Sequence, residues 1–414
     1  MPQLGDLPDE LQLAIIKCLR SRRKQSPKHH ALVSLAGTNR RFYHLTRPYA
    51  DPEITLEESD FHDYLVHLAG ATNLNTLTIK ARLPRRDEDL QTLDDACSVF
   101  ASVPNVEVMY LKLVVKRQFD WYRPQNPDPL FTYDFLAQHF QRLETLELRQ
   151  DEKNTNMVVE FSHAIPLLAL PRLSAVTLKL VGGGKPKDVD ELVSQLGGRP
   201  SNVRSLTTGP SNLSGELLRD LFSRALTQLE HLDLDHLEGV FVGSYYNEQM
   251  RIGPALMSVK AMKRIKISYA MNNIVPHRWL QSNEISSLAD HTLLESLTIQ
   301  PVLLYGVEID AHSPDLSQLL PPGLKHLDFC RTAGVSGNFI LGIYRKLVEF
   351  VQLRGVAAAG GALLSLHVTF ELDWSLDLIQ VAAKRELADT CEQFQVEFRD
   401  HSKPLHCYTY EAQS

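Results

Sequence analysis

The chain has 414 residues, 43% hydrophobic and 22% charged. That is an ordinary globular composition over more length than one typical compact domain holds, unless the architecture is extended or repetitive. Its net charge of −7 and pI of about 6.1 exclude the basic footprint of a general nucleic-acid binder, and no stretch approaches the roughly 18 apolar residues that a membrane-crossing helix requires.

The first segment, LGDLPDELQLAIIKCL from residue 4, predicts a helix. Pro8 suits the first helical position, where its missing N–H would be an orphan anyway. Asp9 and Glu10 complement the positive end of the helix dipole. Leu11, Ile15, Cys18 and Leu19 recur at helical spacing, and Leu13 and Ile16 widen the stripe. So short a helix then carries apolar side chains for nearly two faces. Either it is buried on both sides within its own domain, or it shares that surface with another protein. The basic run RSRRKQSPKHH at 20–30 follows, a solvated loop in which Pro27 interrupts any helix. A nuclear-import patch and a phosphorylation site at Ser26 are the alternatives for it. Ala31, Leu32, Leu35 and Ala36 predict a short helix that Gly37 ends. Thr38 or Asn39 caps the next, Phe42 and Leu45 continue the apolar pattern, and Pro48 closes the unit.

Leu7-Pro8-x-Glu10-Leu11, then Ile15 and Leu19, then Leu32 and Leu35-Ala36, then Asn39-Arg40-Arg41-Phe42 together resemble an F-box. The chain departs from that pattern in the basic insert after the first helix and in Phe42, where the family commonly has tryptophan. The resemblance implies a three-helix unit over residues 1–50 that docks on a Skp-family adaptor and, through it, on a cullin-RING ubiquitin ligase. Leu7, Pro8, Leu11, Ile15, Leu19, Leu32 and Leu35 are then the adaptor-binding positions or their support. Full burial of each leucine or isoleucine is worth roughly 1.5–3 kcal/mol, so a few such anchors suffice for a stable complex.

From residue 74 a short phrase returns, apolar-x-x-apolar-x-apolar. It reads LNTLTI at 74, VEVMYL at 106, LETLEL at 143, LSAVTL at 173, VRSLTT at 203, LEHLDL at 229, MKRIKI at 262, LESLTI at 294 and LKHLDF at 324. Weaker echoes are LVEFVQL at 347 and LLSLHV at 363. A period of roughly 30 residues is the mark of stacked repeats. Helical patterns lie between the phrases. One is Leu90, Leu93, Cys97 and Phe100. A second has Asp188 as its cap and Val189, Leu192, Val193 and Leu196 inside. A third has Ser214 as its cap and Leu217, Leu218, Leu221 and Phe222 inside. Strand then helix, repeated, resembles leucine-rich repeats over about 74–369, although Arg82, Leu237 and Thr332 stand where that family has asparagine. The expected fold class is α/β. An F-box at 1–50 precedes an irregular leucine-rich-repeat-like solenoid at 51–369, a horseshoe with parallel strands on its concave face, and a capping segment at 370–414. In the cap, WSLDLIQVAAKRELADTC reads as a helix and FQVEFRD as a strand.

Each repeat packs only on its neighbours, so the first, fourth and sixth phrase positions must stay apolar. The positions between them point to the other side of the strand. Read out, these are Thr76, Thr78 and Lys80; Val108, Tyr110 and Lys112; Thr145, Glu147 and Arg149; Ala175, Thr177 and Lys179. They continue with His231, Asp233 and Asp235; Arg264 and Lys266; Ser296, Thr298 and Gln300; His326 and Asp328. The candidate substrate-binding residues are the chemically distinctive ones: Lys80, Tyr110, Lys112, Glu147, Arg149, Lys179, His231, Asp233, Asp235, Arg264, Lys266 and Asp328. Charge changes sign between neighbours, which suits a protein partner better than a phosphate backbone.

Other patterns carry less. His231, Asp233 and Asp235 share a strand face with His236 following, but ligands two apart on a strand splay by roughly 7 Å, too far for a shared small cation. GGGKPKD from 182 lacks the spacing of a phosphate loop and reads as a turn before a helix. Five scattered cysteines contain no CxxC pair, so neither a disulfide framework nor a zinc site is expected. The acidic N-terminus has no positively charged n-region, so no signal peptide is expected. An intracellular location, cytoplasm or nucleus, follows as the default. No catalytic motif, metal site or cofactor site is expected. The resemblance implies the substrate-recognition subunit of an SCF-type E3 ubiquitin ligase, itself without bond chemistry, with a Skp-family adaptor and an unidentified target protein as partners. The rivals are an interaction scaffold without ubiquitin transfer and an enzyme with an unrecognised site.

Overall fold

The computed structural model describes the strands at 54–56, 76–79 and 110–115 and most of 134–404, without 151–158, 238–251, 271–284, 357–362 and 373–377 among other shorter stretches. The expected unit at 1–50, with Leu7, Pro8, Leu11, Ile15, Leu19, Leu32 and Leu35, lies outside the described residues. So do Lys80 and the helix expected around Leu90–Phe100.

The returning phrase builds one parallel sheet whose strand order follows chain order. Its strands are β1 (Ile54–Leu56), β2 (Thr76–Ile79), β3 (Tyr110–Val115), β4 (Thr145–Gln150), β6 (Ala175–Lys179), β8 (Ser205–Leu213), β9 (His231–Leu237), β10 (Arg264–Ala270), β11 (Ser296–Ile299), β12 (His326–Thr332), β13 (Ser365–Leu372) and β14 (Glu397–Asp400). Three short strands flank this path. β5 (Val159–Glu160) pairs with β7 (Val181–Gly183), β7 also pairs with β8, and β15 (Lys403–Pro404) pairs with β13. Parallel neighbours need a crossover between them. Here the described crossovers include helices Phe161–Leu168, Pro186–Gln195, Gly215–Asp220, Ile252–Met257 and Gly337–Val356. The architecture is α/β, a parallel sheet with helices, built from strand-and-connection units stacked in chain order.

The core follows the phrase. Leu143, Leu146 and Leu148, Leu229, Leu232 and Leu234, Leu294, Leu297 and Ile299, and Leu324, Leu327 and Phe329 are all buried, as the first, fourth and sixth positions of their units. The unit at 203 breaks the rule once, with Thr208 buried in the sixth position. Adjacent units are stitched at the strand entrances by backbone hydrogen bonds. The amides of Ser174 and Ala175 both donate to the Glu144 carbonyl, those of Arg204 and Ser205 to Ser174, those of Glu230 and His231 to Arg204, and those of Lys263 and Arg264 to Glu230. The same two-on-one contact recurs at the carbonyls of Lys263, Glu295 and Lys325. Because it uses only main-chain atoms, side chains at these positions are free to vary.

Three sequence expectations change. Leu111 pairs in register with Leu77 on one side and Leu146 on the other, so the phrase expected at 106 begins at 108, as VMYLKL. Tyr110, Lys112 and Val114 then take the places of Val108, Tyr110 and Lys112. Two alternating registers fit this apolar stretch equally well by pattern, and only pairing with the neighbours separates them. The echo at 347 is no strand. It lies inside the helix Gly337–Val356, whose buried residues Phe339, Ile340, Ile343, Tyr344, Leu347, Val348 and Val351 recur at helical spacing. Asp188 does not stand at the cap of its helix but three residues inside. The helix starts at Pro186, and the Lys185 amide donates to Asp188 Oδ2 at 2.7 Å while the Asp188 amide donates back to the Lys185 carbonyl at 2.9 Å. This reciprocal pair satisfies the exposed end of the helix.

The C-terminal segment carries the expected helix, Leu378–Gln393, and the expected strand, β14. β13 runs through residue 370, and β14 adds to it in parallel register, Leu366 opposite Phe398. The repeat geometry therefore extends into the residues expected to form the cap.

Candidate protein-binding face

Strand alternation leaves one face of the sheet free of the apolar core. In-register pairing aligns its side chains in rows across the strands. The first row runs Thr145, Ala175, Ser205, His231, Arg264, Ser296, His326, Ser365 and Glu397. The second runs Glu147, Thr177, Thr207, Asp233, Lys266, Thr298, Asp328, His367 and Arg399. Of the sequence-expected residues, Glu147, Arg149, Lys179, His231, Asp233, Arg264, Lys266 and Asp328 have exposed or half-buried side chains on this face. Tyr110, Lys112 and Asp235 hold the matching register positions in their strands.

Most charges on the face are neutralised by neighbours. Lys266 Nζ donates to Asp233 Oδ2 at 3.0 Å across adjacent strands. Arg149 Nε lies 4.0 Å from Glu147 Oε1 on its own strand, and Arg399 pairs with Glu397. The Lys179 side chain lies across Gly209, where a Cβ would stand 2.4 Å from Lys179 Cγ; glycine there makes room for the lysine stem. Exposed pairs of this kind are worth roughly 0–1 kcal/mol each, so they decide charge complementarity more than stability.

Asp328 differs. It is half buried, and burial raises its pKa above the ordinary 3.8 against the opposing pull of His367, His401, the Thr298 hydroxyl and Lys266. Histidines crowd that side of the face. The His367 and His401 rings meet edge-on with centroids 6.4 Å apart, and His326 Nδ1 lies 2.8 Å from Ser365 Oγ. His367 Nε2 is buried without a hydrogen-bond partner among the described residues.

His367, Ser365 and Arg399 were missed in the sequence. The signal for Ser365 and His367 was the LLSLHV phrase, which puts them at its third and fifth positions, and that for Arg399 was the FQVEFRD strand. A second polar row borders the face at the strand entrances. Arg204 Nη1 lies 3.3 Å from Glu230 Oε1, Lys263 Nζ 2.7 Å from Glu230 Oε2, and Lys325 Nζ 2.7 Å from Glu295 Oε1. The Lys263 ammonium lowers the Glu230 pKa chiefly by hydrogen bonding, and Lys325 does the same for Glu295.

Among the described residues, no group of three or more His, Cys, Asp or Glu side chains is placed to hold a metal ion. No described helix is long and apolar enough to cross a membrane. No protein-family model matches the sequence, and no curated protein matches it.

Proposed function

We propose that this chain is an F-box protein with a leucine-rich-repeat-like solenoid, the substrate-recognition subunit of an SCF-type E3 ubiquitin ligase. Residues 1–50 dock on a Skp-family adaptor, and the open face of the parallel sheet holds the target. The protein performs no bond chemistry. It raises the target's effective concentration beside a ubiquitin-charged enzyme. The observation that carries the reading is the division of labour within each repeat. Among the described repeats the inner positions are buried and, Thr208 apart, apolar, whereas the outer ones change chemistry from strand to strand. A surface that is stiffly spaced yet free in composition is what recognition of a polypeptide requires. The F-box resemblance of residues 1–50 supports the ligase half of the proposal.

Affinity purification of the full chain beside a version lacking 1–50 tests it. The expected result is adaptor recovered with the full chain alone and further proteins held by both, at least one of which turns over more slowly when the chain is removed. Adaptor held equally by both versions overturns the F-box assignment. Bound proteins whose half-lives do not respond overturn ubiquitin transfer and leave a non-degradative scaffold.

A further inference from the structure

Along the second row of the open face, Glu147 has Arg149 as its counter-ion and Asp233 has Lys266. Asp328, in the same row, has no ion-pair partner among the described residues. Its flanking register positions are Thr298 on β11 and His367 on β13, one short and neutral, the other an imidazole whose Nε2 has no hydrogen-bond partner among the described residues. A carboxylate accepts about four hydrogen bonds, and the Thr298 hydroxyl supplies one. Burial without a counter-ion is costly for an anion, and the upward displacement of the Asp328 pKa records that cost. Lys266 relieves it only in part, because its ammonium is engaged with Asp233. Among the described residues, the face thus holds a half-buried acceptor without an ion-pair partner.

We propose that Asp328 is the anchoring carboxylate for a basic side chain, arginine or lysine, of the polypeptide received on the open face, with Thr298 and His367 lining its seat. The inference rests on the open face being the target-binding surface and adds the chemistry of the residue recognised there. A guanidinium offers up to five N–H donors in a planar fork and pairs two-to-two with a carboxylate, so arginine is preferred over lysine. The step is non-covalent, and no proton leaves the guanidinium.

Immobilised full-length protein is exposed to four dodecapeptide libraries. They are random except at one central position, fixed as arginine, lysine, citrulline or glutamate. Citrulline keeps the shape of arginine and removes its charge. The expected result is retention of the arginine library about tenfold or more above citrulline and glutamate, with lysine between. Asp328→Asn brings arginine and citrulline within about twofold of each other, while Asp328→Glu retains part of the preference. Thermal melts of both variants accompany the binding, and an asparagine variant that melts like the parent makes the loss local. Equal retention of all four libraries, a glutamate preference, or an arginine preference that survives Asp328→Asn overturns the proposal. The outcome is separable from the ligase reading. An arginine preference lost in Asp328→Asn, together with no adaptor recovery, sinks the ligase and leaves the seat standing.

Discussion

The Tyr344 hydroxyl donates to Asp400 Oδ2 at 2.8 Å, joining the helix Gly337–Val356 to the end of β14. Lys384 Nζ reaches the same oxygen at 3.0 Å from the helix Leu378–Gln393, and the Ser402 amide donates to Oδ1 at 2.8 Å. Three elements of the last repeat thus converge on one carboxylate that is only 4% exposed.

That convergence predicts a pH signature. Burial raises the Asp400 pKa, but the hydroxyl and amide of Ser402, the Tyr344 hydroxyl and Lys384 together bring it below the ordinary 3.8. A carboxylate depressed on folding contributes stability above its unfolded pKa and loses it as pH falls through the folded value. Asp400→Asn should therefore destabilise the protein by about 1–3 kcal/mol at neutral pH. The gap to the parent should narrow below about pH 4. Urea titrations at a series of pH values measure it, and a gap independent of pH contradicts the assignment.

The alternation of inner and outer positions gives a paired prediction on one strand. Leu297 is fully buried, whereas Thr298 next to it faces the open side. Leu297→Ala should cost about 2–5 kcal/mol through lost burial and the cavity left behind. Thr298→Ala should cost about 1 kcal/mol or less. Comparable costs in equilibrium denaturation would mean that the strand is buried on both faces.

How much of this was legible depended on the range of the physics involved. The strands at 143, 173, 229, 262, 294 and 324 could be read because three buried positions at fixed spacing leave a mark within six residues. The phrase at 106 was misplaced by two residues because Val106, Val108, Met109, Leu111 and Leu113 satisfy two registers, and only the partner strands choose between them. LVEFVQL imitates a strand locally, but its neighbours Phe339, Ile340, Ile343 and Tyr344 complete a helical stripe that a six-residue window cannot see. The pairing of Lys266 with Asp233, 33 residues apart, and the lack of an ion-pair partner for Asp328 among the described residues are properties of register across strands. No single phrase encodes them.

Gly184 supplies a backbone prediction. Its φ of +95° is one that side chains rarely adopt, and an added Cβ would stand 2.4 Å from Leu217 Cδ2 and 3.1 Å from Phe161 Cβ. It is the last residue before the Lys185–Asp188 pair that opens the next helix. Gly184→Ala should cost about 2 kcal/mol or more, since strain and overpacking add. Gly197, also at positive φ but with nothing within 4 Å of an added Cβ, should cost about 1 kcal/mol as alanine. Thermal or urea melts of the two variants rank them, and the reverse order contradicts the packing at Gly184.

His291 predicts a second pH effect. It is completely buried in the turn before Leu294, and neither ring nitrogen has a partner at hydrogen-bond geometry among the described residues. Burial first, and Lys260 second, hold its pKa below the ordinary 6.5, with Asp290 and the nearby Val259 backbone pulling the other way. A base depressed on folding binds its proton more readily when unfolded. Stability therefore falls as pH drops from about 6.5 toward the folded value, and below that value the loss is complete. His291→Leu removes the titrating group and replaces it with an apolar side chain that needs no partner. The variant should match or exceed the parent near pH 7 and gain on it progressively toward about pH 5. Because Asp400 acts below about pH 4, the two transitions separate on one stability-versus-pH curve. A variant that tracks the parent in parallel from pH 7 to pH 5 would show that the buried imidazole titrates alike in both states.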